Sequence, residues 1–199
     1  MRRVLLMCLC SAILVSCAAR RPSVDLPDIS TWEQRQAVLG NVVEWEFRGR
    51  IAVKAGDEGF NGKLRWTQNG QEFHATVSGP LGIGTVRIDG DEQTITLTDK
   101  DGAQTILTDP EAELYYRYGW TIPVARLPFW ALGIPDPALA AVTEVDDEGR
   151  MTHLEQSDWV VDISRYGHGG GHEMPRKLTA SNSNTRVRLV IGSWLFFER

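Results

Sequence analysis

Apolar and polar residues alternate with a period of two through most of the chain, a pattern typical of half-buried β-strands. Between residues 46 and 54, for example, Phe47, Ile51 and Val53 fall on one face. The alternation predicts about eleven strands, at 46–54, 60–68, 73–77, 83–89, 94–98, 103–108, 141–145, 151–156, 159–166, 176–181 and 186–194. Regular short strands separated by turn residues indicate an antiparallel barrel or a strongly curled sheet.

A short helix is predicted before the first strand. Ser30 is the expected N-cap, with Glu33 three residues later in a capping box. The helix is expected to run to about Leu39 and to end at Gly40, the residue type that most often follows a helix.

A second helical region interrupts the strand pattern in mid-chain. Asp109 as N-cap and Pro110 as the first helical residue predict one helix, which stops at Gly119. Another is predicted at about 124–132, closed by Gly133. The segment is dense in Tyr, Trp, Phe and Leu, so it either covers one face of the sheet or fills a sheet too wide to pack its own interior.

The N-terminus has the pattern of a secretory leader. Arg2 and Arg3 precede an apolar run at 4–15, which is too short for a spanning helix. The run ends in Leu-Val-Ser before Cys17, which resembles the lipoprotein box; an ordinary signal peptide with an incidental cysteine is the alternative. We predict a signal peptide at 1–16, lipid on Cys17, a tether over 17–28 and one domain at 29–199. Ala18, where an aspartate commonly signals inner-membrane retention, favours the outer membrane.

Cysteine usage and charge exclude several classes of protein. The three cysteines are Cys8, Cys10 and Cys17, so the mature domain has none left for a disulfide, a zinc site or thiol catalysis. The net charge of −5 becomes more negative when the leader arginines are lost, which argues against nucleic acid or an anionic surface as the main partner.

No catalytic motif stands out, and no metal, cofactor or enzymatic activity is expected. Two histidines flank three glycines at 168–172, and this run is interpreted as a mobile surface loop rather than a metal site.

The turn at 79–82 carries a leucine where turns usually carry small polar residues. Pro80 suits the second corner of the turn, and Leu81 follows it. Leu81 either folds back onto the sheet or protrudes from it.

Four motifs together resemble the LolB family of outer-membrane lipoprotein receptors, with similarity from about Trp32 to Trp194. They are Trp45-x-Phe47-x-Gly49-Arg50-Ile51-Ala52-Val53, Gly62-x-Leu64-x-Trp66-x-Gln68, Gly79-Pro80-Leu81-Gly82 and Gly119-Trp120-x-x-Pro123-Val124-x-x-Leu127-x-x-Trp130-x-x-Gly133. The resemblance implies an unclosed antiparallel barrel of about eleven strands, with helices over an apolar cavity.

The resemblance also implies a function. A monomer, held in the outer membrane and facing the periplasm, would accept lipoproteins from a soluble LolA-like carrier and insert them into the inner leaflet. Its partners would be that carrier, the lipoprotein cargo and outer-membrane lipids. A lipoprotein enzyme or an envelope scaffold of the same fold is the rival hypothesis.

The resemblance assigns roles to particular residues. Pro80, Leu81 and Gly82 match the family's membrane-insertion loop, with Leu81 as its protruding apolar residue. Candidates for the wall or lid of an acyl-chain cavity are Trp66, Trp120, Leu127 and Trp130, each of which could equally be ordinary core.

Overall fold

The computed structural model describes residues 21–79, 84–91, 93–118 and 121–198. They contain three helices, α1 (Trp32–Gly40), α2 (Pro110–Tyr118) and α3 (Leu127–Leu132). The strands are β1 (Glu44–Ala55), β2 (Glu58–Asn69), β3 (Glu72–Ser78), β4 (Val86–Gly90), β5 (Ile95–Thr98), β6 (Gln104–Leu107), β7 (Ala141–Val145), β8 (Met151–Gln156), β9 (Trp159–Gly169), β10 (His172–Ser181) and β11 (Arg186–Phe196). The predicted eleven strands are confirmed.

All eleven described strands belong to one sheet, in the order β6-β5-β4-β3-β2-β1-β11-β10-β9-β8-β7. Each recorded pairing of neighbours is antiparallel. The first and last strands of the chain, β1 and β11, therefore pair in the middle of the sheet, and β6 and β7 form its edges. The chain between those edges carries α2 and α3, so the unclosed barrel with a helical cover is confirmed.

Alternating side chains of the long central strands build the core. Trp45, Phe47, Ile51 and Val53 of β1 are all nearly inaccessible to solvent. Phe47 packs against Trp194 of β11, with ring centroids 5.3 Å apart. The period-two pattern read from the sequence thus marks the inner face of the sheet correctly.

The start and end of α1 differ from the sequence-based prediction. Thr31, not Ser30, is the N-cap, because its hydroxyl accepts a hydrogen bond from the Gln34 backbone N–H at 3.3 Å. Gln34 takes the place predicted for Glu33 and accepts from the Ser30 N–H at 2.8 Å. Both adjacent residues can cap a helix, and position alone does not choose between them. Gly40 is the last helical residue rather than a left-handed stop.

The mid-chain helices begin and end largely as predicted. Asp109 caps α2 by accepting from the Ala112 N–H at 3.1 Å, and Pro110 is the first helical residue. Gly133 ends α3 in the left-handed conformation, with φ of 82°. The predicted helix at 124–132 is shorter in the structure, since α3 starts only at Leu127.

The glycine-rich run at 168–172 is a tight hairpin, and the mobile loop predicted there is wrong. Gly170 and Gly171 form the two-residue turn between β9 and β10, with φ of 59° and 79°. Positive φ at both central residues matches the right-handed twist of the flanking strands. A side chain at Gly170 would meet Phe196 at 2.5 Å, so the turn is packed against β11.

Residues 23–27, which we call the strap, pack along this hairpin and the end of β11. The Val24 N–H donates to the Phe196 carbonyl and the Leu26 N–H to the Gly170 carbonyl, both at 2.9 Å. The His172 ring lies 2.8 Å from the Pro27 carbonyl. The described part of the predicted tether is thus fastened to the domain, although it forms no regular secondary structure. The division of the chain at 16 and 28 remains a prediction.

We expect Gly170→Ala to lower the free energy of unfolding by about 2 kcal/mol or more, as measured by urea denaturation. A left-handed alanine costs about 1–2 kcal/mol, and its methyl group would also strike Phe196. Gly56→Ala is the matched control, because Gly56 has a φ of 56° but nothing within 4 Å of the added carbon. Equal losses in both variants would contradict the packing of the hairpin.

Candidate functional site

An apolar cavity of about 370 Å³ lies between the inner face of the sheet and the mid-chain helices. This volume is near the lower end of the roughly 300–1,000 Å³ usual for small-molecule sites. The sheet contributes inward-facing side chains from β1 to β5, including Ile51, Leu64, Trp66, Phe73, Ile88 and Leu97. The cover contributes Leu114, Ile122, Val124 and Leu127. The one polar residue in the described lining is Asn61, which is exposed to solvent at the edge of the cavity.

Two stacked aromatic rings form part of the cavity wall. The rings of Trp66 and Phe73 lie 4.4 Å apart and nearly parallel. The Trp66 indole N–H donates to Gln68 Oε1 at 2.8 Å, and the Gln68 amide donates to the Gly70 carbonyl at 2.9 Å. The polar edge of the tryptophan is therefore satisfied away from the cavity, which leaves an apolar surface facing it.

An ion pair joins α2 to the start of α3. Arg126 donates to both Glu111 carboxylate oxygens, at 2.9 and 3.2 Å. Burial raises the pKa of Glu111, and the positive charge of Arg126 partly opposes that shift. The pair ties together the two helices that supply Leu114 and Leu127 to the cavity.

Two of the four predicted cavity residues line the cavity. Trp66 and Leu127 line the cavity on opposite sides, one in the sheet and one in the cover. Trp130 is fully buried elsewhere, where its ring packs 5.9 Å from Trp159 and its N–H donates to Gln156 at 3.0 Å. Trp120 lies outside the described residues.

The predicted lipidation site, Cys17, and the predicted insertion loop of Pro80, Leu81 and Gly82 also lie outside the described residues. The described residues Gly79 and Gly84 flank that loop, and both line the cavity. The described chain thus stops at Gly79 and resumes at Gly84 beside the cavity.

Sequence reasoning missed several wall residues, among them Phe73, Ile88 and Val124. Phe73 and Ile88 occupy inward positions of the alternating pattern, which could have marked them. Phe73 and Val124 also border a second cavity of about 330 Å³ beside the end of α1. No signal in the sequence indicates that two cavities share these residues.

Within the described ranges, no three His, Cys, Asp or Glu side chains are placed to hold a metal ion. None of the helices among those residues is long and apolar enough to cross a membrane.

Comparison with solved structures places this architecture in a known class. The fold is similar to a LolA superfamily protein from Nitrosomonas europaea, with a TM-score of 0.55, 10% identity, and coverage of 80% of this chain and 88% of that one. It is also similar to a DUF1329 family protein from Desulfovibrio piger, with a TM-score of 0.54, 6% identity, and coverage of 83% and 90%. At these identities the likeness concerns the fold alone.

Sequence comparison identifies the family. The family model described as "Outer membrane lipoprotein LolB" matches residues 43–194. The chain is 36% identical over 176 residues to the outer-membrane lipoprotein LolB of Nitrosococcus oceani, covering 88% of each chain. It is 29% identical over 197 residues to that of Stutzerimonas stutzeri, covering 98% of this chain and 95% of the relative. The chain therefore belongs to the LolB family of outer-membrane lipoproteins.

We expect the wild-type protein to bind an apolar fluorescent dye saturably, and we expect a fatty acid to displace the dye from the cavity. Ile88→Trp should weaken dye binding about tenfold or more, because a larger side chain on the cavity wall removes space, and overpacking costs about 1–3 kcal/mol. Val142→Trp is the matched control, since Val142 is 64% exposed on edge strand β7. Unchanged dye affinity in Ile88→Trp would show that the dye binds elsewhere.

Proposed function

We propose that this protein accepts lipoproteins from a LolA-like periplasmic carrier and inserts them into the inner leaflet of the outer membrane. The observation that carries the proposal is the apolar cavity, whose described lining has no charged side chain. Acyl chains need such a surface, because their binding relies on dispersion and the exclusion of water rather than on directed polar contacts. Family membership supports the same assignment.

Differences in affinity can drive the transfer without a covalent step. Each buried methylene contributes about 0.8 kcal/mol, so a cavity that covers more of an acyl chain than the carrier does will take it over. The bilayer covers the chain completely and is the final acceptor. The protein then acts as a receptor and not as an enzyme, and it works as a monomer without a cofactor. No described feature favours the rival scaffold or enzyme hypothesis.

Four residues outside the described structure, Cys17 and the loop residues Pro80, Leu81 and Gly82, have proposed roles. Cys17 carries the lipid, which adds about 0.8 kcal/mol per buried methylene and makes a multi-chain anchor effectively permanent. Leu81, with Pro80 and Gly82, touches the membrane near the cavity. One leucine entering the interface gains about 1.5–3 kcal/mol, enough for reversible contact and far too little for anchoring.

Mixing a cargo-loaded carrier with the mature chain carrying Cys17→Ala tests the handover. We expect the cargo to move to this protein, as measured by separating the two proteins and quantifying the cargo bound to each. Ile88→Trp should slow or reduce the transfer about tenfold or more, in line with its loss of cavity space. Val142→Trp serves again as the control. Transfer at the normal rate in Ile88→Trp would contradict handover through this cavity.

Leu81→Glu is expected to leave folding and cargo acceptance intact but to slow release into vesicles by about tenfold or more, because a charged side chain cannot make the apolar contact. The measurement is the rate at which cargo appears in the vesicles. Ile106→Glu is the matched control, since Ile106 is 61% exposed on edge strand β6. Delivery by Leu81→Glu at the rate of the control would refute membrane contact by this residue.

A further inference from the structure

The outer face of the central strands is basic in an otherwise acidic chain. Strands β1, β2 and β11 carry Arg48, Arg50, Lys54, Lys63, Arg65, Arg186 and Arg188, against Glu44, Glu46 and Glu58. The chain as a whole has a net charge of −5. The net charge therefore hides a local excess of positive charge on the middle of the sheet.

Three of these cations line one shallow groove of about 390 Å³, which we call the basic groove. Arg50, Lys63 and Arg188 are all exposed there, and Asn61 and Ser78 add polar side chains. No acidic residue belongs to the described lining. The nearest acid along β1 is Glu46, four residues from Arg50, and the nearest along β2 is Glu58, five residues from Lys63.

Like charges face each other directly across the groove. Arg50 on β1 is the register partner of Lys63 on β2, and Arg188 on β11 lies opposite the next outward residue, Ala52. Like charges at opposed positions of neighbouring strands destabilise a sheet. Folding alone does not account for this arrangement.

Two neighbouring cations on the same face, unlike those of the groove, have a carboxylate partner. Arg48 and Arg65 are also register partners, but both bind the carboxylate of Glu46, each at 2.7 Å. Within the described residues, no carboxylate lies within ion-pairing distance of Arg50, Lys63 or Arg188. The basic groove thus exposes three cationic side chains that have no carboxylate partner among the described residues.

The segment that leads to the anchor leaves from this same face. Arg21, Pro22 and Ser23 border a depression together with Arg48 and Arg65. Arg48 and Arg50 are successive outward residues of β1, which puts the groove about 7 Å along the strand from that depression. The chain that connects the domain to its lipid therefore begins next to the groove.

We propose that the basic groove of Arg50, Lys63 and Arg188 docks on the anionic phospholipid headgroups of the membrane that holds the lipid anchor. Each Lys or Arg near an anionic surface gains about 1 kcal/mol, equivalent to roughly fivefold in binding. Ser78 and Gly79 line the groove and directly precede the proposed insertion loop in sequence, so docking of the groove is compatible with the membrane contact proposed for Leu81. The inference rests on the proposed anchoring but not on cargo handover.

Lysine footprinting of the full lipidated protein in vesicles tests this inference. The protein is placed either in phosphatidylcholine vesicles or in anionic vesicles that also contain about 30% phosphatidylglycerol, and a water-soluble acylating reagent is then added. We expect Lys63 to react about fivefold more slowly in the anionic vesicles, and to regain its reactivity in about 0.5 M sodium chloride, which screens surface charge. Lys100, exposed in the β5–β6 turn, is the internal control and should not change.

Arg50→Gln should abolish most of the protection of Lys63, whereas Lys100→Gln should not. Arg50→Gln removes a like-charge pair and is expected to leave the melting temperature unchanged or higher, so misfolding would not explain the loss. Equal Lys63 reactivity in both vesicle types would overturn the proposal. The proposal would also be overturned if inorganic phosphate protected Lys63 equally well in neutral vesicles. The same holds if Lys63 were protected only after the carrier protein is added. Cargo handover in solution is measured without vesicles, so the two proposals fail separately.

Discussion

The sheet does not close on itself, and the rest of the structure depends on that constraint. Its edge strands β6 and β7 lie at opposite ends of the strand order. An antiparallel sheet with one apolar face needs a cover for that face. The chain between β6 and β7 supplies the cover, because α2 and α3 lie between those strands in sequence. The helical cover is therefore part of the chain segment that connects edge strand β6 to edge strand β7.

The cover fits one half of the sheet more tightly than the other. Over β8–β10 the fit is close: Trp130 packs against Trp159, and Gly133 leaves no room for a side chain beside Pro175 and Tyr166. Over β1–β5 the cover leaves the apolar cavity. Close packing on one side holds the helices in place, so the cavity on the other side can remain open.

The sequence predicted helices and strands well where the local residue pattern is compatible with only one boundary. Strands β7 and β8 have the predicted bounds, and Asp109 with Pro110 marks the start of α2 correctly. Errors occur where two local solutions are equally good, as with the two possible caps Ser30 and Thr31. The glycine run at 168–172 was misread for a different reason. Glycines suit both a mobile loop and a left-handed turn, and only the contact with Phe196 distinguishes them.

The candidate site was predictable in kind but not in its detail. The family resemblance named Trp66, and the alternation marks inward positions, but neither tells where the cover meets the sheet. Trp130 and Leu127 lie on the same short helix, yet the first packs into the core and the second borders the cavity. That difference arises from how the helix lies on the sheet, which is a long-range property of the fold.

The strap limits how far the domain can travel from its lipid. Residues 23–27 are fastened to the hairpin and to β11. If Cys17 carries the lipid, as proposed above, the chain between Cys17 and the strap spans at most about 20 Å. A short linker confines the domain to a small volume above the bilayer and gives it an effective concentration in the millimolar range. Even weak surface contacts are then populated much of the time, and a longer linker would weaken them without altering any residue that makes them.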